Sequence, residues 1–267
     1  MQERHKDKTL YFSEQEYTTK KYVIPFINDF LPINSSTTVL EIGCGEGGNL
    51  KPFLDLGCQC VGLDLNQTKI EFGKQIFENH PNNSKLELFV EDIYKVARQD
   101  FQFDLIILRD VIEHIPNQEK FTEYVKKFLK PNGKIFFAFP PWQNPFGGHQ
   151  QIAYSKISKI PFIHLLPKGL YSAVLRYFEG NNILEGTNAS TIVEELLDIK
   201  ETRISIERFR KILRQSNYKI DKEILYFINP NYEIKFNLKP RKLFNIFGAI
   251  PYLRNFYTTV VYCIVGI

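Results

Sequence analysis

The chain is 267 residues long, enough for one α/β domain with additions and a squeeze for two. Apolar residues make up 43% and charged residues 24%, which excludes wholesale disorder, and a net charge of +4 is too small to argue for nucleic acid without a concentrated basic face. Cys44, Cys58, Cys60 and Cys263 have neither zinc-ligand spacing nor a disulfide-like framework, and Met1–Lys8 carries no apolar run of signal-peptide type, so a reducing cytoplasmic setting is expected.

Apolar periodicity lays out helices and strands in alternation. A helix is expected over Ser13–Phe30, ended by Pro32, and a strand over Thr38–Ile42. Helix Asn49–Leu56, ended by Gly57, leads to strand Cys58–Leu63, helix Gln67–Glu78 and strand Lys85–Val90. A short helix near Ile93–Arg98 precedes the strongly apolar strand Phe103–Leu108. Gln118–Leu129 is amphipathic and stops at Lys130-Pro131-Asn132-Gly133, a run of helix-ending and turn-forming residues that opens onto strand Lys134–Phe139. Past Pro140 the rhythm breaks into a Pro- and Gly-punctuated insertion to about Lys200. Helix Ser205–Gln215 and strands Tyr218–Ile228 and Tyr232–Leu238 then complete the sheet. Phe256–Ile267 is apolar but shorter than the ~20 residues of a spanning helix. Strands alternating with helices at this spacing call for an α/β, doubly wound, mostly parallel seven-stranded sheet with helices on both faces.

The stretch Val39-Leu40-Glu41-Ile42-Gly43-Cys44-Gly45-Glu46-Gly47-Gly48 places an apolar strand, an acid and a glycine-rich turn in succession, as a nucleotide-shaped cofactor requires. Such glycines also serve dinucleotide-binding dehydrogenases, so the residues downstream decide. Glu41, Asp64, Asp92 and Asp110 all fall at strand ends, where a doubly wound sheet presents its crevice. A pyrophosphate would not suit so many carboxylates; a cationic cofactor would.

These residues resemble class I S-adenosylmethionine-dependent methyltransferases, from about Val39 to Phe139. Glu41 through Gly47 is similar to the family's first motif, Val61-Gly62-Leu63-Asp64 to its second, Glu91-Asp92-Ile93 to its third, and Phe103 through His114 to its fourth. Leu129 through Lys134 resembles the turn into its fifth strand. The resemblance implies a Rossmann-like domain binding S-adenosyl-L-methionine. Gly43, Gly45 and Gly47 would admit the methionine part and ribose, Asp64 would accept both ribose hydroxyls, and Asp92 would take the adenine amino group with Ile93 against the ring. Glu41 would orient the loop and add negative potential, while Cys44, Leu65 and Arg109 would complete the cofactor site.

Methyl transfer needs an in-line approach to the sulfonium carbon, and a base only if the acceptor starts protonated. His114 is placed to serve as that base or to pack against a helix start. His149, in the loop Asn144–Gln151 whose glycines suggest mobility, is the second candidate, or an ordered surface histidine. Asp110-x-x-Glu113-His114 is similar to the metal-binding pattern of ubiquinone-pathway O-methyltransferases, with Asp where those have Glu; because the short motif also occurs in relatives without metal, no metal ligand is assigned. Phe139-Pro140-Pro141-Trp142 follows the fifth strand rather than the fourth and lacks a leading amide or carboxylate, unlike the Asn/Asp-Pro-Pro-Tyr motif of methyltransferases acting on bases. No nucleic-acid partner is therefore expected.

The whole chain reads as one methyltransferase domain: a helical segment over 1–36, a cofactor core over 37–139, an acceptor lid over 140–202, the end of the sheet over 203–240 and an aromatic segment over 241–267. Ile152–Tyr177 mixes an apolar stripe with Lys156, Lys159, Lys168 and Arg176, and basic residues outnumber acidic ones from Arg203 onward. Either this is lid core and solvated basic surface, or lid and tail form a basic-rimmed apolar face able to meet the inner side of an anionic membrane. A small-molecule or lipid-like acceptor, methylated on oxygen, is expected. A carbon or nitrogen acceptor, a non-catalytic cofactor-binding protein and a dinucleotide oxidoreductase are the alternatives.

Overall fold

The computed structural model describes residues 8–96, 101–179 and 189–267. The chain opens with helix α1 (Lys8–Thr18), a π-helical turn over Thr19–Val23, and α2 (Ile24–Asn28). Pro25 has no N–H to donate one turn back, and the wider turn before it routes the Ile24 N–H to the Thr19 carbonyl instead. The alternating core follows: β1 (Thr38–Ile42), α3 (Lys51–Asp55), β2 (Gln59–Asp64), α4 (Gln67–Phe77), β3 (Leu86–Val90), β4 (Phe103–Arg109), α5 (Gln118–Val125) and β5 (Leu129–Phe139). Then come α6 (Lys168–Glu179), α7 (Ala189–Thr202), α8 (Ile206–Gln215), β6 (Lys219–Ile228), α9 (Tyr232–Phe236), β7 (Arg241–Lys242), α10 (Asn245–Ala249), α11 (Arg254–Tyr257) and β8 (Val260–Gly266).

The sheet order is β3-β2-β1-β4-β5-β8-β6-β7. β1 to β5 are mutually parallel, and β8 runs antiparallel between β5 and β6. Alternate residues of each central strand feed opposite cores. Leu40, Ile106 and Phe137 pack toward α5 and α8 with Phe121 and Phe209. Val39, Leu105 and Phe136 pack on the other side with Phe26, Phe53 and Phe77. The order reverses direction at β1 and β4, so the loops after these strands open a crevice at their carboxyl ends.

The doubly wound expectation holds, with two corrections at the far edge. The sheet has eight strands rather than seven, the added one being the two-residue β7. Tyr232–Leu238 is not a strand: α9 starts after the Asn229-Pro230-Asn231 turn and ends where Asn237 adopts a left-handed conformation, with the Tyr232 and Phe236 rings edge to face one helical turn apart at 5.2 Å. The apolar tail supplies the missing strand instead, and all of β8 is buried. Helix boundaries move by a few residues, and the expected end of the short helix at Arg98 lies outside the described residues. Within the insertion, Ala153, Ile157, Tyr171, Leu175 and Leu196 form a separate small core.

Candidate functional site

At the end of β1 the chain turns through Gly43, Gly45 and Gly47, all with positive φ (74°, 54° and 84°). The Gly43 and Cys44 amides both donate to the Leu63 carbonyl, at 2.7 and 3.0 Å, which pins the loop to the end of β2. A Cβ on Gly43 would lie 2.5 Å from Val111 Cγ2, so the loop after β4 closes against the first glycine. Cys44 turns its thiol inward: a Cβ on Gly62 would lie 2.7 Å from Cys44 Sγ, and burial pushes the thiol pKa well up.

Asp64 ends β2 and accepts from the Gly45 amide and the Asn66 amide, each at 2.8 Å. One carboxylate thereby ties the glycine turn to the start of α4, and each oxygen retains a second lone pair. Leu65 beside it is a large apolar side chain left 75% exposed. Asp92 caps the turn Ile93–Lys95 by accepting from the Tyr94 amide at 3.0 Å, while Ile93 is buried under it. The helix-cap role of Asp92 is therefore real, and it uses one of the two oxygens.

Glu41 is fully buried. One oxygen accepts from Asn49 Nδ2 at 2.7 Å; the other, Oε2, has no hydrogen-bond partner among the described residues. Burial pushes its carboxyl pKa up to about 8, with the Asn49 bond and the Arg109 charge working against that rise. Arg109 is buried at the end of β4 and donates to Asn49 Oδ1 at 2.6 Å and to Thr19 Oγ1 at 3.3 Å, so it reaches Glu41 through Asn49. Glu46, in the turn itself, also buries an oxygen that has no hydrogen-bond partner among the described residues.

The N-terminal arm contributes residues that sequence reasoning missed. A Cβ on Gly48 would lie 2.8 Å from the Phe12 carbonyl and 2.6 Å from Gln15 Oε1, so α1 lies directly on the glycine turn. Thr19, in the π-helical turn, donates to Asn49 Oδ1 at 2.9 Å. Burial raises the Tyr11 phenol pKa, reinforced by Asp110, Glu46 and Glu41, which places this ring among the same carboxylates. The one signal available beforehand was that Tyr11, Gln15 and Thr19 recur at helical spacing.

Beyond β4 the chain passes Asp110, itself at φ 54°, into a short turn over Ile112–His114. Glu113 is buried and neither of its oxygens has a hydrogen-bond partner among the described residues; burial, and then the neighbouring Asp110, pushes its carboxyl pKa well above the usual range. His149 Nε2 lies 3.6 Å from Glu113 Oε1, and the His149 and His114 rings meet edge to face at 4.8 Å. His114 is exposed at the crevice mouth, yet the protein flanking it lowers its imidazole pKa, against the opposing pull of Asp110. Ligand atoms of Glu113, His114 and His149 all fall within 4.8 Å of one another. The fold thus brings both histidines together over a buried acid.

The loop that carries His149 is packed rather than loose. A Cβ on Gly148 would meet the His164 side chain at 2.2 Å, and one on Gly147 the Trp142 carbonyl at 2.4 Å. These glycines permit close approach, where mobility had been expected. His164 Nε2 donates to the Trp142 carbonyl at 2.7 Å beneath them, and burial lowers its pKa to about 4.

A turn that excludes Cβ atoms, buried carboxylate oxygens without protein partners and acids at successive strand ends suit a nucleoside that carries positive charge, which is the chemistry of S-adenosylmethionine. Comparison with known proteins agrees. A family model described as a methyltransferase domain matches residues 15–161. The chain is 28% identical over 190 residues to a ubiquinone biosynthesis O-methyltransferase of Bartonella tribocorum, covering 67% of this chain and 71% of that one. It is 28% identical over 109 residues to a sterol 4-C-methyltransferase of Caenorhabditis elegans, covering 41% of this chain and only 33% of that longer protein. A solved glycopeptide N-methyltransferase complexed with sinefungin shares the fold at a TM-score of 0.53 and 12% identity, over 93% of this chain and 86% of its own. The chain belongs to the methyltransferase-domain family and is an S-adenosylmethionine-dependent methyltransferase.

Proposed function

We propose that the enzyme methylates an oxygen of a small, lipid-like acceptor, with the His114–His149–Glu113 group receiving the acceptor's proton. The observation that carries this reading is a histidine with a lowered pKa at the crevice mouth, packed on a second histidine that sits over a buried carboxyl. A neutral imidazole accepts a proton near neutral pH, and the Glu113 carboxyl lies 3.6 Å from His149 behind it. His114 is the first candidate base; His149 steadies its ring and is the second.

For the cofactor, Asp64 binds the ribose hydroxyls, Asp92 the adenine amino group, and Leu65 and Ile93 the ring. The backbone of Gly43, Cys44, Gly45 and Gly47 admits the methionine part, and Glu41 adds negative potential behind it. Arg109 acts through Asn49 to hold Glu41. When bound, the cofactor supplies an electrophilic methyl group on a sulfonium; the chain's own residues orient the acceptor and take up its proton.

The division into core (37–139), lid (140–202) and aromatic tail (241–267) belongs to the same reading, as does cytoplasmic residence with peripheral contact at a membrane's inner face through lid and tail. No helix among the described residues is long and apolar enough to cross a membrane. Labelled cofactor incubated with a cell extract, followed by mass spectrometry of lipid and polar fractions, tests the acceptor. Label on oxygen in the lipid fraction is the expected result; label on carbon or nitrogen, with His114→Ala and His149→Ala variants both fully active, would refute it.

A further inference from the structure

Between β7 and β8 the chain leaves the sheet for an excursion that exposes large apolar side chains. Phe244, Ile246, Phe247, Ile250, Tyr252 and Leu253 are all exposed, with Phe244 at 63%, Ile246 at 77% and Tyr252 at 66%. A monomer surface seldom leaves so many large apolar groups side by side without a partner.

The excursion is firmly built. Leu243 is buried and its amide donates to the Leu225 carbonyl at 2.7 Å. Glu207, at the start of α8, accepts from Arg254 Nε at 2.8 Å, Asn255 Nδ2 at 2.6 Å and the Tyr252 amide at 2.8 Å. The Phe247 and Tyr257 rings lie 5.1 Å apart, joining α10 to α11. The exposed face is thus held in place by a polar anchor underneath.

Charge identifies the occupant. From Ile234 to Ile267 the sequence contains no Asp or Glu, while Lys239, Arg241 and Lys242 are exposed beside Phe244. Protein interfaces are depleted in lysine at their centres, whereas aromatic and aliphatic side chains rimmed by Lys and Arg suit the boundary of an anionic bilayer. The face also connects to the site: the Phe256 ring meets Phe162 at 6.3 Å, and the Phe162 amide donates to the Pro145 carbonyl at 2.7 Å, in the loop that continues to His149.

We propose that Phe244–Leu253, with Lys239, Arg241 and Lys242, is a docking face for an anionic phospholipid bilayer, seating the lid edge where a lipid-like acceptor would enter. This inference narrows the peripheral-membrane part of the functional reading to one surface, and its test does not depend on turnover. The full chain is sedimented with vesicles of phosphatidylcholine containing phosphatidylglycerol, and with phosphatidylcholine vesicles alone. Binding should favour the anionic vesicles and weaken as salt is added. A Phe244→Ser/Ile246→Ser variant should lose at least about tenfold in vesicle affinity while retaining S-adenosylhomocysteine binding. A Lys239→Gln/Arg241→Gln/Lys242→Gln variant should lose the preference for anionic lipid. Undiminished binding by the first variant, equal binding to both vesicle types, or a solution dimer that the first variant dissociates would overturn the proposal. Vesicle binding without any methylated lipid would leave docking intact and overturn only the acceptor assignment.

Discussion

Glu41 is a buried carboxyl with one oxygen that has no hydrogen-bond partner among the described residues, and the fold opposes its ionisation. Its pKa rises from the ordinary carboxyl value of 4.5 to about 8, so the folded state holds this proton more tightly than the unfolded state. The associated stability is complete below the ordinary carboxyl range and is lost as pH climbs through about 8. Glu41→Gln keeps an acceptor for Asn49 and lacks the titration, so its melting temperature should fall less than the parent's as pH is raised from about 6 to about 9. A cationic ligand favours the ionised form, so S-adenosylmethionine affinity of the parent should rise across the same range and that of the variant should stay flat by calorimetry. Asp64→Asn should weaken that affinity by about 1–3 kcal/mol, because an amide cannot accept at both ends from the Gly45 amide and two hydroxyls. The protein flanking His114 lowers its imidazole pKa, so the acid limb of turnover should lie below the ordinary imidazole value of about 6.5; His114→Gln should abolish the limb and lower turnover by about a hundredfold.

At the scale of elements, the glycine turn combines a left-handed backbone with absence of space. Gly43→Ala meets both a φ of 74° and a Val111 methyl group 2.5 Å from the new Cβ. Denaturant unfolding should show a loss of about 1–3 kcal/mol, of which Val111→Ala restores the steric part but not the conformational part. The turn was legible because Gly43, Cys44, Gly45 and Asp64 depend mainly on local backbone chemistry and on the neighbouring strand. Tyr232–Leu238 was misread for the opposite reason. Alternating apolar and polar residues over so short a run fit either period, and Pro230 and Asn237 settled the matter by starting and ending a single helical stretch. The N-terminal helix was found, but its role was not: Tyr11, Gln15 and Thr19 acquire meaning only where α1 lies on Gly48 and Asn49.

For the whole molecule, β8 decides whether the sheet closes. It pairs with β5 on one side and β6 on the other, and each of its residues is buried. A chain ending at Thr258 would leave β5 and β6 each with one unpaired edge and strip Tyr262 and Ile264 from one core and Val261 and Val265 from the other. It should show no cooperative thermal transition by circular dichroism. The sequence by itself determined the cofactor half of this protein, because a glycine turn and acids at the ends of adjacent parallel strands are placed by the winding rule for alternating strands and helices. Only the tertiary structure brought together the residues proposed for the acceptor. Glu113 and His149 lie on loops after different strands, the insertion after β5 folds on a core of its own, and the apolar tail divides between a buried strand and an exposed face. Contacts so distant in the chain depend on how whole elements pack, and no local pattern encodes them.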